Sequence, residues 1–188
     1  MGAIWVGLDG LTSSDVLQAG GEMVADCASG VPSAPEYYLW IEWYPNREYA
    51  LDPKYLNYHS GDVVLMEVYA TSSTTGGVYI NDETQGTVVS LSLTPPSGHY
   101  LIGDNAEWIV ERPGNQYGSL FNLPNYGSAY MDTAVSYILG NNTLAEAGGP
   151  SNNLWWQFVV AMADNNNNII SFPTDVEPTS IQWQYVGP

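Results

Sequence analysis

Residues 105–111, Asn105-Ala106-Glu107-Trp108-Ile109-Val110-Glu111, set an acidic residue inside an aromatic and β-branched run of the kind that forms strands. Successive side chains of a strand point to opposite faces, so Glu107, Ile109 and Glu111 share one face, and Ala106, Trp108 and Val110 the other. The second face is apolar enough to serve as core. That leaves Glu107 on an outward or groove-lining face of a rigid element. An isolated strand glutamate is ordinarily no more than a solvated charge, so its meaning depends on what the rest of the chain sets beside it.

The flanking segments are strand-like as well. Pro95-Pro96-Ser97-Gly98 precedes the run and Pro113-Gly114 stops it. Upstream, residues 63–70, 78–81 and 87–93 are strand candidates, the last two joined through the polar loop 82–86 in an antiparallel meander. The most aromatic run, Tyr37-Tyr38-Leu39-Trp40-Ile41-Glu42-Trp43-Tyr44, ends at Pro45. Alternation gives it a core face of Tyr37, Leu39, Ile41 and Trp43, and a second face of Tyr38, Trp40, Glu42 and Tyr44 that suits either packing or the wall of a groove. Residues 15–24 place Gln18, Gly20 and Glu22 together. Gly20 and Gly21 leave room there for a bulge or for close approach of another backbone or a ligand. Residues 4–8 form a further strand, stopped by Asp9-Gly10.

Beyond residue 114 the strand candidates are 128–138, 154–163, 169–172 and 181–186, and only 139–147 hints at a short helix. Many short strands between turns predict an all-β chain, a single domain over residues 1–188 built as an antiparallel two-sheet β-sandwich of jelly-roll type.

Composition narrows the function. Twenty carboxylates against three Lys plus Arg give a net charge of −17, which disfavours nucleic acid and anionic membranes. Once the carboxylates are protonated few charges remain, so the composition suits an acidic medium. No apolar run is long enough for a membrane-spanning helix. Met1 runs almost at once into the strand-like Ile4-Trp5-Val6, which reads as a start residue set on a mature domain whose leader has been removed. Cys27, the only cysteine, can form no intrachain disulfide and has no local support as a nucleophile. His59 and His99 are isolated and make no zinc site with it. Residues 164–168, Asp-Asn-Asn-Asn-Asn, begin like a calcium loop. Ile169 stands where glycine is needed, however, so a turn is expected. Asn141-Asn142-Thr143 is a glycosylation sequon. Neither a cofactor nor a metal is expected, and catalysis would have to run on carboxylates.

Two carboxylates on a Trp-rich sandwich suit a glycoside hydrolase with Glu42 and Glu107 as acid and base, or a sugar-binding module. Four motifs point elsewhere: Trp5-Val6-Gly7-Leu8-Asp9-Gly10, Leu17-Gln18-Ala19-Gly20, Glu42-Trp43-Tyr44-Pro45 and Ala106-Glu107-Trp108-Ile109-Val110-Glu111. In order and approximate spacing they resemble the glutamic peptidases, or eqolisins, over residues 5–112. The resemblance implies a concanavalin A-like sandwich and a secreted, acid-active, pepstatin-insensitive endopeptidase, expected as a monomer acting on unfolded protein or peptides. It puts the catalytic dyad on Gln18 and Glu107, with Trp5, Asp9, Glu22, Trp40, Glu42 and Tyr44 as the groove lining and hydrogen-bonding surround that bind substrate. There are departures: the loop 12–15 is short for the family, Glu22 stands where Asp is usual, and Tyr38 replaces another acidic position.

Overall fold

The computed structural model describes residues 1–26, 30, 31, 33–115, 117–138, 143–146 and 158–187. Cys27 and the sequon residues Asn141 and Asn142 lie outside them. Among the described residues every regular element is a strand, and the chain divides into two compact units, Met1–Phe121 and Asn122–Pro188.

The first unit holds β1 (Gly2–Asp9), β2 (Val16–Val24), β3 (Glu36–Tyr44), β4 (Tyr49–Ala50), β5 (Val64–Ser72), β6 (Thr75–Asp82), β7 (Thr87–Leu93) and β8 (Ala106–Glu111). Two antiparallel sheets result, one ordered β4-β3-β2-β1-β8 and the other β5-β6-β7. The alternation in β2 and β3 turns Leu17, Ala19, Leu39, Ile41 and Trp43 to one face, all buried. Ala19, Leu39 and Ile41 meet Val78 and Ile80 of the second sheet, with Val64, Met66, Val68, Val89 and Leu93 packed around them. Two apolar sheet faces closing on one another are what period-two patterning requires, so the unit is a β-sandwich.

The opposite face of the larger sheet is also paved. Trp5 and Trp40 are both nearly fully buried, and with Ala3 they form a separate cluster against Val16, Tyr38 and Ile109. The space left by Gly20 is filled by these indoles: a Cβ there would stand 2.6 Å from Trp5 Cβ and 2.7 Å from Trp40 Cζ2. On the inner face Gly21 makes room for Tyr58, whose ring carbon would lie 2.9 Å from a Cβ. Both glycines thus admit aromatic side chains of this chain, where the sequence suggested a bulge, another backbone or a ligand.

Strand β8 departs from expectation too. Ala106, Trp108 and Val110 are half-buried rather than fully buried, on a strand that is the edge of its sheet among the described residues.

The second unit contains β9 (Ser128–Met131), β10 (Val135–Ile138), β11 (Thr143–Glu146), β12 (Met162–Ala163), β13 (Ile169–Glu177) and β14 (Ser180–Tyr185), in a sheet β12-β13-β14-β9 and a hairpin β10-β11. The single strand expected over 128–138 is broken at Thr133, which adopts φ 55°. Residues 143–146, expected at the end of a helix, pair instead with β10 from Val135↔Glu146 to Ile138↔Thr143; flanking glycines and a β-branched start favour the strand over the helix. Of the strand expected over 154–163, residues 154–157 lie outside the described residues and only Met162–Ala163 are paired. Residues 164–168 form the expected turn, with Asp164 Oδ1 accepting from the backbone N–H of Asn166 and Asn168 at 2.8 Å each.

Candidate active site

Register decides what stands beside Glu107. Strand β1 pairs with β8 so that Gly7 faces Glu107, and with β2 so that Gly7 faces Gln18, while β2 pairs with β3 so that Gln18 faces Glu42. One cross-strand row therefore reads Glu107, Gly7, Gln18, Glu42. The next row on the same face is Ile109, Trp5, Gly20, Trp40, and the third is Glu111, Ala3, Glu22, Tyr38. Gly7 has no side chain, and the space over it between Gln18 and Glu107 is taken by the Trp5 indole and Val16: a Cβ there would stand 2.9 Å from Trp5 Cζ3 and 3.3 Å from Val16 Cγ1. Two inter-strand steps set the Gln18 and Glu107 backbones roughly 10 Å apart, with the Trp5 indole on the sheet surface between them.

Each polar group of the first row is held. Gln18 Nε2 donates to Glu42 Oε2, which fixes the amide plane and leaves Gln18 with a second N–H and its Oε1. Burial raises the Glu42 carboxyl above its ordinary value, the Gln18 bond opposing that and Glu111 adding to it. Burial likewise raises Glu107; the amide of Asn105 lowers it and the charge of Asp9 raises it. Asn105 Nδ2 reaches Glu107 Oε1 at 3.2 Å and the backbone oxygen of Asp9 at 3.1 Å.

Asp9 itself is wholly buried. Its carboxylate accepts from the backbone N–H of Ile102 at 2.5 Å, of Gly103 at 2.9 and 3.0 Å, and of Asp104 at 3.1 Å. A carboxylate so occupied ties down the loop that leads into β8, and so belongs to the hydrogen-bonding surround of Glu107. Trp5 and Trp40 make the floor, with Trp5 Nε1 donating to Glu111 Oε2 at 2.7 Å. Glu22 is buried below the surface and accepts from the Tyr38 hydroxyl. Burial raises the Glu22 carboxyl, and the hydrogen bond from Tyr38 opposes that rise. Tyr44 is exposed at the rim.

A cavity of about 330 Å³ opens over Trp40, lined by Gln18, Glu22, Glu42, Tyr44, Glu48, Glu111 and neighbours; Trp5 and Glu107 are not part of its lining. A second, of about 310 Å³, shares Glu42 with it and is lined by Asn46, Arg47, Tyr49, Ser92 and Thr94 among others. The sequence did not single out Glu48, whose carboxyl is pushed up to about 7 by burial and then by Glu22, Glu42 and Glu111. Nor did it single out Asn105 or Gly7 as parts of the site. Glu48 lies between strands, where periodicity is silent, and the other two acquire meaning only from the register. Among the described residues, no group of three His, Cys, Asp or Glu is arranged to hold a metal ion.

The sequence profile of the Peptidase A4 family matches residues 1–152. The chain belongs to this family. It is 36% identical over 111 residues to scytalidopepsin B of Scytalidium lignicola, a match covering 58% of this chain and 39% of that protein. With aspergillopepsin-2 of Aspergillus niger it shares 33% identity over 148 residues, 78% of this chain and 48% of the relative. The matches thus span less than half the length of these Peptidase A4 relatives. The crystal structure of aspergilloglutamic peptidase from Aspergillus niger superimposes with a TM-score of 0.80 at 25% identity, covering 98% of both chains.

Proposed function

We propose that this Peptidase A4 chain is an acid-active endopeptidase that hydrolyses peptide bonds with Gln18 and Glu107. The observation that carries the proposal is the cross-strand row in which these two residues flank a glycine on one face of one sheet. Family membership supports peptide hydrolysis over sugar chemistry on the same aromatic floor. The match at residues 1–152 runs across the boundary between the two compact units, which supports a single peptidase domain.

Amide hydrolysis requires a base for water, a donor for the carbonyl oxygen as it becomes an oxyanion, and an acid for the departing nitrogen. Glu107, raised by burial, takes the proton from water in mild acid and returns it to the amine. Gln18 cannot titrate. Its amide, fixed through Glu42, supplies an N–H to the oxyanion and an oxygen to orient the water at any pH. The aromatic floor and the two cavities sharing Glu42 receive side chains of an extended substrate. Action outside the cell, as a monomer and without inhibition by pepstatin, belongs to the same proposal. The test is hydrolysis of an unfolded protein at acid pH with pepstatin present, beside a panel of polysaccharides. Cleavage of the protein alone is expected, and cleavage of an oligosaccharide with unfolded protein left intact overturns the proposal.

A further inference from the structure

Asn105 occupies an unusual electrostatic position. Both atoms its amide meets are acceptors, the Asp9 backbone oxygen and Glu107 Oε1, so the nitrogen must face them. That orientation leaves Asn105 Oδ1 buried with no hydrogen-bond partner. An unpaired buried oxygen is unfavourable and calls for an explanation. What the arrangement secures is one amide donating in two directions, to the end of β1 and to the carboxylate of Glu107.

The surroundings make that bond specific. Asp9 N–H donates to the Asn105 backbone oxygen at 2.9 Å, which extends the β1–β8 pairing by one residue and fixes Asn105 in place. On another side Gly10, at φ 108°, comes so close that a Cβ there would lie 3.2 Å from both Glu107 carboxylate oxygens. Glu107 is therefore flanked by Gly10 and bonded to Asn105 at one oxygen, and the bond to Asn105 is its only side-chain hydrogen bond among the described residues.

We propose that Asn105 is a positioning residue for Glu107: by holding Oε1 it selects Oε2 as the atom that takes the proton from water and returns it to the leaving amine. The inference rests on the Gln18 and Glu107 assignment. Asn105 touches no reacting atom. Its donor stabilises the ionised carboxylate, so removing it raises the proton affinity of Glu107 and moves the acid limb of kcat/KM, which needs the ionised base, to higher pH.

The test compares Asn105→Ala and Asn105→Asp with Gln18→Ala and Glu107→Gln. Asn105→Asp keeps size and shape, removes the donor and adds a negative charge. In both Asn105 variants the acid limb is expected to rise, by roughly one pH unit for Asn105→Ala and further for Asn105→Asp. Gln18→Ala lowers kcat and leaves the limb in place. Titration of the glutamate side-chain carbons by NMR, assigned through the loss of one signal in Glu107→Gln, reads the same shift in every variant that folds and needs no activity. An unchanged Glu107 titration and an unmoved limb, with Glu107→Gln inactive, overturn the role of Asn105 and leave the dyad standing. Full turnover by Glu107→Gln overturns both.

Discussion

At the scale of single residues the site separates groups that act from groups that hold. On the proposed assignment Gln18 and Glu107 serve one tetrahedral species, so Glu107→Gln and Gln18→Ala should each remove most of the turnover while leaving the fold intact. Loss of one oxyanion donor alone is worth about 2.7–4 kcal/mol. The double variant should fall short of the product of the two losses, as steady-state kinetics on the singles and the double will reveal. Asp9 belongs to the holding group. Its replacement by Ala strips three loop N–H groups of a buried acceptor, a loss of about 3 kcal/mol or more. The expected fall in Tm is then of the order of 10 °C, and the same Tm as the parent would show that water replaces the carboxylate without penalty.

At the scale of elements the glycines of β2 are the informative positions. Gly20→Ala would drive a Cβ to 2.7 Å from the Ile4 backbone oxygen and 2.6 Å from Trp5 Cβ, so β1 and β2 must separate. Overpacking of this kind typically costs 1–3 kcal/mol, measurable by denaturant unfolding, and because Gln18 and Gly7 lie on the same two strands activity should fall with it. What could be read in advance follows from the same geometry. Alternation alone gave the buried face of β3 and set Gln18 with Glu22, and Glu107 with Glu111, because a strand's period is local. Which strand lies beside which is not local: β1 joins residues 2–9 to 106–111, and no pattern within either segment announces the partner. For that reason the sequence, without the family resemblance, pairs Glu107 with Glu42 and misses the glycine between Glu107 and Gln18.

At the scale of the whole molecule charge governs stability. Burial raises the carboxyls of Glu22, Glu42 and Glu107, and with its acidic neighbours raises Glu48 to about 7, all from an ordinary value of 4.5. The folded protein therefore binds more protons than the unfolded chain. This contribution is fully present below the unfolded value near 4.5 and is lost as pH rises through the folded values, up to about 7 for Glu48. At Asp62 desolvation is outweighed by hydrogen bonds from His59 and Gln85, and its carboxyl moves the other way. Tm should thus fall between pH 4.5 and 7, and added salt should restore part of it by screening like charges. Calorimetry across that range checks the sign, and a Tm that climbs toward neutrality would refute it.

Among the described residues β8 has one neighbour in its sheet and a half-buried face, so local opening can release it before the rest of the molecule unfolds. When it lifts, Glu107, the base of the proposed mechanism, leaves with it. On the proposed function, a molecule beginning to come apart is then disarmed before it becomes digestible, so under gentle denaturation peptide hydrolysis should fall silent before the molecules begin to consume one another.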